Sequence, residues 1–123
     1  MAESRHDPTK HELLEKRMLD FAVTVIRQLD KEKSLSSRIA DQLTRSSTSI
    51  GANYAEACNS PSKQDFRNKI YVAKKEAAET RYWIDLIIEL TANEAWKPLR
   101  QEAHELLSIL QAIVNSLKGR SAK

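Results

Sequence analysis

The sequence predicts an all-α protein, an up-down-up-down antiparallel four-helix bundle. Two glycines and three prolines in 123 residues leave little material for turns, and strong helix formers (Ala, Leu, Glu, Lys, Gln, Arg) dominate the rest. Apolar residues also recur at three-and-four spacing in four successive segments, the period of a helix with one buried face. The length is that of one domain, able to bury roughly two-thirds of its unfolded surface. No internal repeat or low-complexity segment divides it.

The first segment runs from about Thr9 to Gln28 or beyond, with Leu13, Leu14, Arg17, Met18, Phe21, Val25, Ile26 and Leu29 along one face. The polar stretch Asp30-Lys31-Glu32-Lys33-Ser34 interrupts it. Leu35, Ile39, Leu43, Ser46 or Ser47, Ile50, Tyr54 and Cys58 then restore the period in a second helix. Its weak point is Ser46-Ser47-Thr48-Ser49-Ile50-Gly51, where Gly in a helix interior costs ~1 kcal/mol relative to Ala. Either the chain breaks there, or the helix continues and its small side chains let a neighbour come close; the second reading is preferred.

Pro61 disfavours helix at Ser60, and Ser62 with Asp65 three residues on forms a capping box, so the third helix starts near Ser62. It extends to about Thr91, roughly 45 Å at 1.5 Å per residue. Phe66, Ile70, Ala73, Ala77, Ile84 and Ile88 make its core stripe, yet Val72, Trp83, Leu86 and Leu90 fall on roughly the opposite side, leaving the last third apolar nearly all round. After Ala92-Asn93-Glu94, Pro98 suits the first turn of a fourth helix carrying Leu99, Ala103, Leu106, Leu107, Leu110, Ile113, Val114 and Leu117. Short links make sequential helices antiparallel neighbours. The bundle therefore spans residues 9–118, with residues 1–8 a flexible arm and 119–123 a flexible tail.

Twenty Lys and Arg against 17 Asp and Glu give a net charge of +3, too mild to imply a nucleic-acid partner by itself. The single Cys58 cannot form an internal disulfide and reads as a buried thiol in a reducing compartment. No apolar run resembles a signal peptide or reaches the ~18 residues of a membrane span, so a cytoplasmic protein without membrane contact is expected.

The residues offer little to an enzyme. A di-iron bundle needs Glu-x-x-His on two helices plus two further carboxylates; the one formal match, Glu3-Ser4-Arg5-His6, lies in the arm, and His11 and His104 have no helix-spaced carboxylate and imidazole partners that repeat the motif. No metal site and no cofactor are expected. Cys58 and the serine run lack a glycine-rich nucleophile elbow, and no glycine loop is present to cradle phosphate.

Two constellations remain. Lys63, Arg67, Lys74 and Arg81 follow one another at spacings of four, seven and seven, inside a narrow sector of the third helix. They align as phosphate contacts, or else form a solvated flank whose ion pairs contribute about 0.3–0.5 kcal/mol each. Asn53 and Glu56 on the second helix with Lys75, Glu76 and Glu79 on the third place polar groups along apolar seams, either as a register-fixing inter-helix network or as the lining of a pocket.

Three blocks, Arg45-Ser46-Ser47-Thr48-Ser49-Ile50-Gly51-Ala52-Asn53-Tyr54-Ala55-Glu56-Ala57, Ser62-Lys63-Gln64-Asp65-Phe66 and Lys74-Lys75-Glu76-Ala77-Ala78-Glu79-Thr80-Arg81-Tyr82-Trp83, closely resemble the four-helix-bundle family named after proteins encoded in intervening sequences of bacterial large-subunit ribosomal RNA genes. Family members often carry Ala-Glu-Gly where this chain reads Ala55-Glu56-Ala57. The resemblance implies a homo-oligomer, a ring of five, as in the related accessory protein of diversity-generating retroelements, which binds nucleic acid and its reverse transcriptase through a basic surface. A ring would bury Val72, Trp83, Leu86 and Leu90 against a neighbouring subunit, worth several kcal/mol at ~25 cal/mol per Å² before association costs. The expectation is a non-enzymatic pentameric adaptor that binds RNA or DNA through repeated basic stripes, +3 per chain becoming about +15 around five chains. The alternative is a protein-interaction scaffold whose cations serve solubility.

Overall fold

The computed structural model describes residues 7–121. Four helices, α1 (Lys10–Lys31), α2 (Ser37–Cys58), α3 (Lys63–Thr91) and α4 (Lys97–Ser121), account for nearly all of it, with one 3-10 turn at Glu94–Trp96.

The starts of α1, α2 and α3 are each set by a short polar side chain that accepts a hydrogen bond from a first-turn amide. Thr9 Oγ1 accepts from the Glu12 amide at 3.1 Å, Ser36 Oγ from Arg38 at 3.2 Å and Ser62 Oγ from Asp65 at 3.1 Å. Pro98 falls in the first turn of α4, where its missing N–H leaves no bond unmade. The expected end of α3 at Thr91 is observed, but the stop is unusual. Ala92 takes the left-handed conformation (φ 54°) that glycine normally supplies, its amide donating to the Ile88 carbonyl at 2.8 Å. Because an L side chain there is strained by roughly 1 kcal/mol, Ala92→Gly is expected to raise the unfolding free energy by about that amount, measurable by urea titration at constant m-value.

The flexible tail expected from Gly119 does not begin there: α4 continues to Ser121, since a lone glycine lowers helix propensity without removing a backbone donor and no proline follows it. Asp7 and Pro8 precede α1 in non-helical conformation, and the other arm residues, 1–6, like 122–123, lie outside the described residues.

The serine run does not break α2. Ser46 and Ser47 are buried, and the hydroxyls of Ser47, Thr48 and Ser49 donate back to carbonyls three or four residues earlier. Ser46 Oγ also accepts from Thr80 on α3 at 2.8 Å, so its hydroxyl is used on both sides. At Gly51 a Cβ would stand 3.2 Å from Met18 Cβ, which is why α1 can approach so closely.

The core runs the length of the bundle: Met18, Phe21 and Val25 from α1, Leu43, Ile50 and Tyr54 from α2, Ile70, Ala73, Ala77, Ile84 and Ile87 from α3, and Ala103, Leu106, Leu110 and Val114 from α4. Trp96, completely buried, closes one end from the 3-10 turn. Some stripe residues of α1 are turned elsewhere. Leu13 and Ile26 are exposed, and Arg17 faces α4, where its guanidinium donates to Glu102 at 2.7 Å and to Glu105 at 2.9 Å. Residues that meet across each sequential pair run in opposite chain order: His11 with Tyr54, Glu56 with Lys69, Ser46 with Thr80, Arg81 with His104, Asp85 with Arg100. α2 and α3 meet most extensively, and of the neighbouring helix pairs α1 and α4 meet least.

Candidate nucleic-acid interface

Lys63, Arg67, Lys74 and Arg81 lie along the flank of α3 that borders α4. Lys63 is exposed and the other three are half-buried, as expected of long side chains whose stems pack and whose heads reach water. Arg81 Nη1 stands 3.1 Å from His104 Nδ1 on α4, and Arg100 forms an ion pair with Asp85 one turn further on. These two contacts fix the register of α3 against α4. Lys118 is 18 residues beyond Arg100, and Arg67 is 18 residues before Asp85; at about 3.6 residues per turn both steps are five whole turns in antiparallel directions, which brings Lys118 to the level of Arg67 about 27 Å away.

The result is a two-row basic strip, Lys63, Arg67, Lys74 and Arg81 on one helix, Arg100, His104 and Lys118 on the other. At one end Asp85 and Glu89 stand beside Lys97 and Arg100. Lys63, Lys74 and Lys118 form no ion pair with a described residue. The second row was absent from the sequence-based expectation, although the 18-residue step from Arg100 to Lys118 is visible in the chain.

The α2–α3 seam is arranged differently from expectation. Glu76, buried, and Glu79 are both bound by Arg45 of α2, Glu76 at 2.8 Å. Glu56 pairs with Lys69 at 2.7 Å. Asn53 donates to the Ser49 carbonyl of its own helix at 2.8 Å, and Lys75 is exposed on the outer side of α3, away from the seam. Arg45, Lys69 and the Ser46–Thr80 bond are the cross-seam partners that were not anticipated.

Of the residues expected at a subunit interface, Leu90 is 60 % exposed, whereas Val72, Trp83 and Leu86 are half-buried. Trp83 packs on its own core, and its buried indole N–H has no hydrogen-bond partner among the described residues. Tyr71 and Tyr82 are the other large hydrophobic side chains exposed on α3.

Cys58 is exposed rather than buried, because it ends α2 at a position just past the apolar seam. The Tyr54 hydroxyl, one helical turn before Cys58, lies 2.8 Å from His11 Nδ1. Desolvation pushes the thiol pKa up, the neighbouring Tyr54 hydroxyl offsets part of that, and the nearby charge of Glu15 adds to it. A raised pKa means less thiolate at neutral pH, the reverse of an activated nucleophile. Iodoacetamide is therefore expected to alkylate Cys58 more slowly at pH 8 in the folded chain than in urea, with the folded-state profile shifted to higher pH. Glu15→Gln should move that profile back toward lower pH, a change mass spectrometry would follow.

Among the described residues no cluster of His, Cys, Asp and Glu is arranged to hold a metal ion, and no helix is long and apolar enough to cross a membrane.

Comparison with known proteins agrees with this architecture. A family model described as 23S rRNA-intervening sequence protein matches residues 12–112. A crystal structure of a protein of unknown function from the S23 ribosomal protein family of Bacteroides thetaiotaomicron superposes with a TM-score of 0.74 at 34 % identity, covering 82 % of this chain and 97 % of that one. No curated protein matches the chain.

Proposed function

The chain belongs to the 23S rRNA-intervening sequence protein family, and from that premise we propose that it is a non-enzymatic, homo-oligomeric adaptor that holds RNA or DNA along the α3–α4 flank. The unit is an up-down-up-down antiparallel bundle, five of which form a ring in the cytoplasm. The observation that carries the reading is the two-row strip, in which Lys63, Lys74 and Lys118 form no ion pair with a described residue. Cations arranged this way suit a phosphate backbone and read no base, so binding is sequence-independent.

Ring symmetry supplies the affinity. One strip offers only a few phosphate contacts, whereas repeated strips act on a single long strand at high effective concentration. For roughly six to ten contacts, counterion release lowers affinity about 10³–10⁵-fold between about 50 and 200 mM salt. The test is light scattering of the free protein followed by titration with a labelled single-stranded RNA at those two salt concentrations. A pentamer that binds at low salt and releases at high salt is expected. Affinity indifferent to salt would sink the reading, and a pentamer that ignores RNA would favour a protein-interaction scaffold.

A further inference from the structure

α1 and α2 meet over small residues. Gly51, Ala52 and Ala55 on α2 face Met18, Leu19 and Ala22 on α1 across an open, mostly apolar groove of about 530 Å³. Leu19 is 58 % exposed on its α1 wall, and Val23 and Ile26 continue the same exposed apolar strip toward the end of α1. Contiguous apolar surface of this kind marks an interaction site more often than a free surface. Elsewhere on the bundle, the outward side of α3 carries Tyr71 and Tyr82, both exposed, with Lys75 between them at helical spacing.

We infer that the α1–α2 groove of one chain receives the Tyr71–Lys75–Tyr82 ridge of a second copy, head to tail. This rests on the ring reading above and assigns the two faces that close it.

Shape comes first. A ring requires two different, mutually complementary faces on each chain, and here one face is concave and floored by Gly and Ala while the other is convex and aromatic. Tyrosines are also the side chains that subunit interfaces enrich.

Height along the bundle comes second. Met18 stands against Gly51, Glu56 pairs with Lys69 and Ser46 bonds Thr80, so interpolation sets Ala52 level with about residue 73 of α3. Groove and ridge therefore lie at the same height, and rotation about an axis parallel to the bundle carries one onto the other without a vertical offset.

Charge comes third. Glu15 lines the groove and Lys75 crowns the ridge; both are exposed, and neither makes an ion pair with a described residue. Each meets its opposite across this contact. The interface is thereby centred on Tyr71, Lys75 and Tyr82 instead of on Trp83, which its own core already holds.

The experiment uses two exposed-site variants, Ala52→Arg to fill the groove and Tyr82→Glu to spoil the ridge, with helix content checked by circular dichroism. Light scattering should give the ring mass for the wild type and the single-chain mass for each variant. Mixed in equal amounts, the variants should form a two-chain species and nothing larger, because the Ala52→Arg chain keeps its ridge and the Tyr82→Glu chain keeps its groove. Variants that retain the ring mass, or a mixture that stays at one chain, would overturn the assignment while leaving the ring itself intact. A single-chain wild type would overturn the ring and the assignment together. Glu15→Lys and Lys75→Glu read the same contact without touching an apolar residue: each alone should lower the mass, the pair should restore it, and failure to restore would count against the inference.

Discussion

Lys74→Glu/Arg81→Glu is expected to lower the affinity for single-stranded RNA at least 100-fold at about 150 mM salt while leaving helix content and subunit number unchanged. Two reversals shift each strip by four charge units at its centre, where the α3 and α4 rows run side by side, and the change recurs on every subunit of the ring. The fold has little reason to respond. Lys74 makes no ion pair with a described residue, and the one side-chain bond of Arg81 to a described residue is an exposed contact in which it donates to His104 Nδ1; a glutamate at position 81 would instead accept from the ring N–H of the other imidazole tautomer. Net charge alone is controlled by Lys33→Glu/Arg38→Glu, the same four-unit change on exposed side chains of the α1–α2 link and the start of α2. The adaptor reading expects the two double variants to differ sharply in a salt-matched fluorescence titration. Equal losses would mean that bulk charge, not the strip, attracts RNA, and no loss in either would point to the scaffold.

Glu32→Ala should destabilise the chain by about 3 kcal/mol, lowering the melting temperature by roughly 10 °C. Oε1 of Glu32 accepts from the Trp96 indole N–H at 2.8 Å and from Asn93 Nδ2 at 2.6 Å, so one carboxylate just past α1 holds the turn that enters α4. Trp96 is completely buried, and removing the acceptor strands its N–H inside the core. Glu32→Gln keeps an acceptor oxygen and should recover most of the loss. If alanine and glutamine behaved alike in thermal unfolding, the bond to Trp96 would carry little of the stability.

The helices were legible because their signals are local. Pro61 and Ser62 mark one boundary within two residues, and the three-and-four period of Ile70, Ala73, Ala77 and Ile84 specifies a buried face without knowledge of any neighbour. What the sequence hides is pairing. Arg45 binds Glu76 and Glu79 from 31 and 34 residues away, a distance decided by how α2 slides against α3, and no local rule prefers Arg45 to Arg38 for that role. Lys75 and Asn53 were misplaced for the same reason: a helical wheel gives azimuth but not which azimuth faces which helix. Glu32 reads as a linker charge until the end of α1 meets the start of α4. The basic row on α3 was visible by itself, and its partner row on α4 acquires meaning only once Arg81 and His104 set the two helices in register.

The uneven seams of the bundle bear on the order in which it opens. α2 and α3 share the longest contact and cross-link it with Arg45, Lys69 and the Ser46–Thr80 bond, whereas α1 touches α4 sparsely, through the Arg17 clasp and the Glu32 staple. In native-state amide exchange α2 and α3 should behave as the slowest-exchanging unit, with α1 detaching as a separate foldon well below the global unfolding free energy. Since α1 carries one wall of the groove, its transient departure would dismantle the docking face without unfolding the nucleic-acid strip, leaving a chain that still attracts RNA but no longer holds its neighbour.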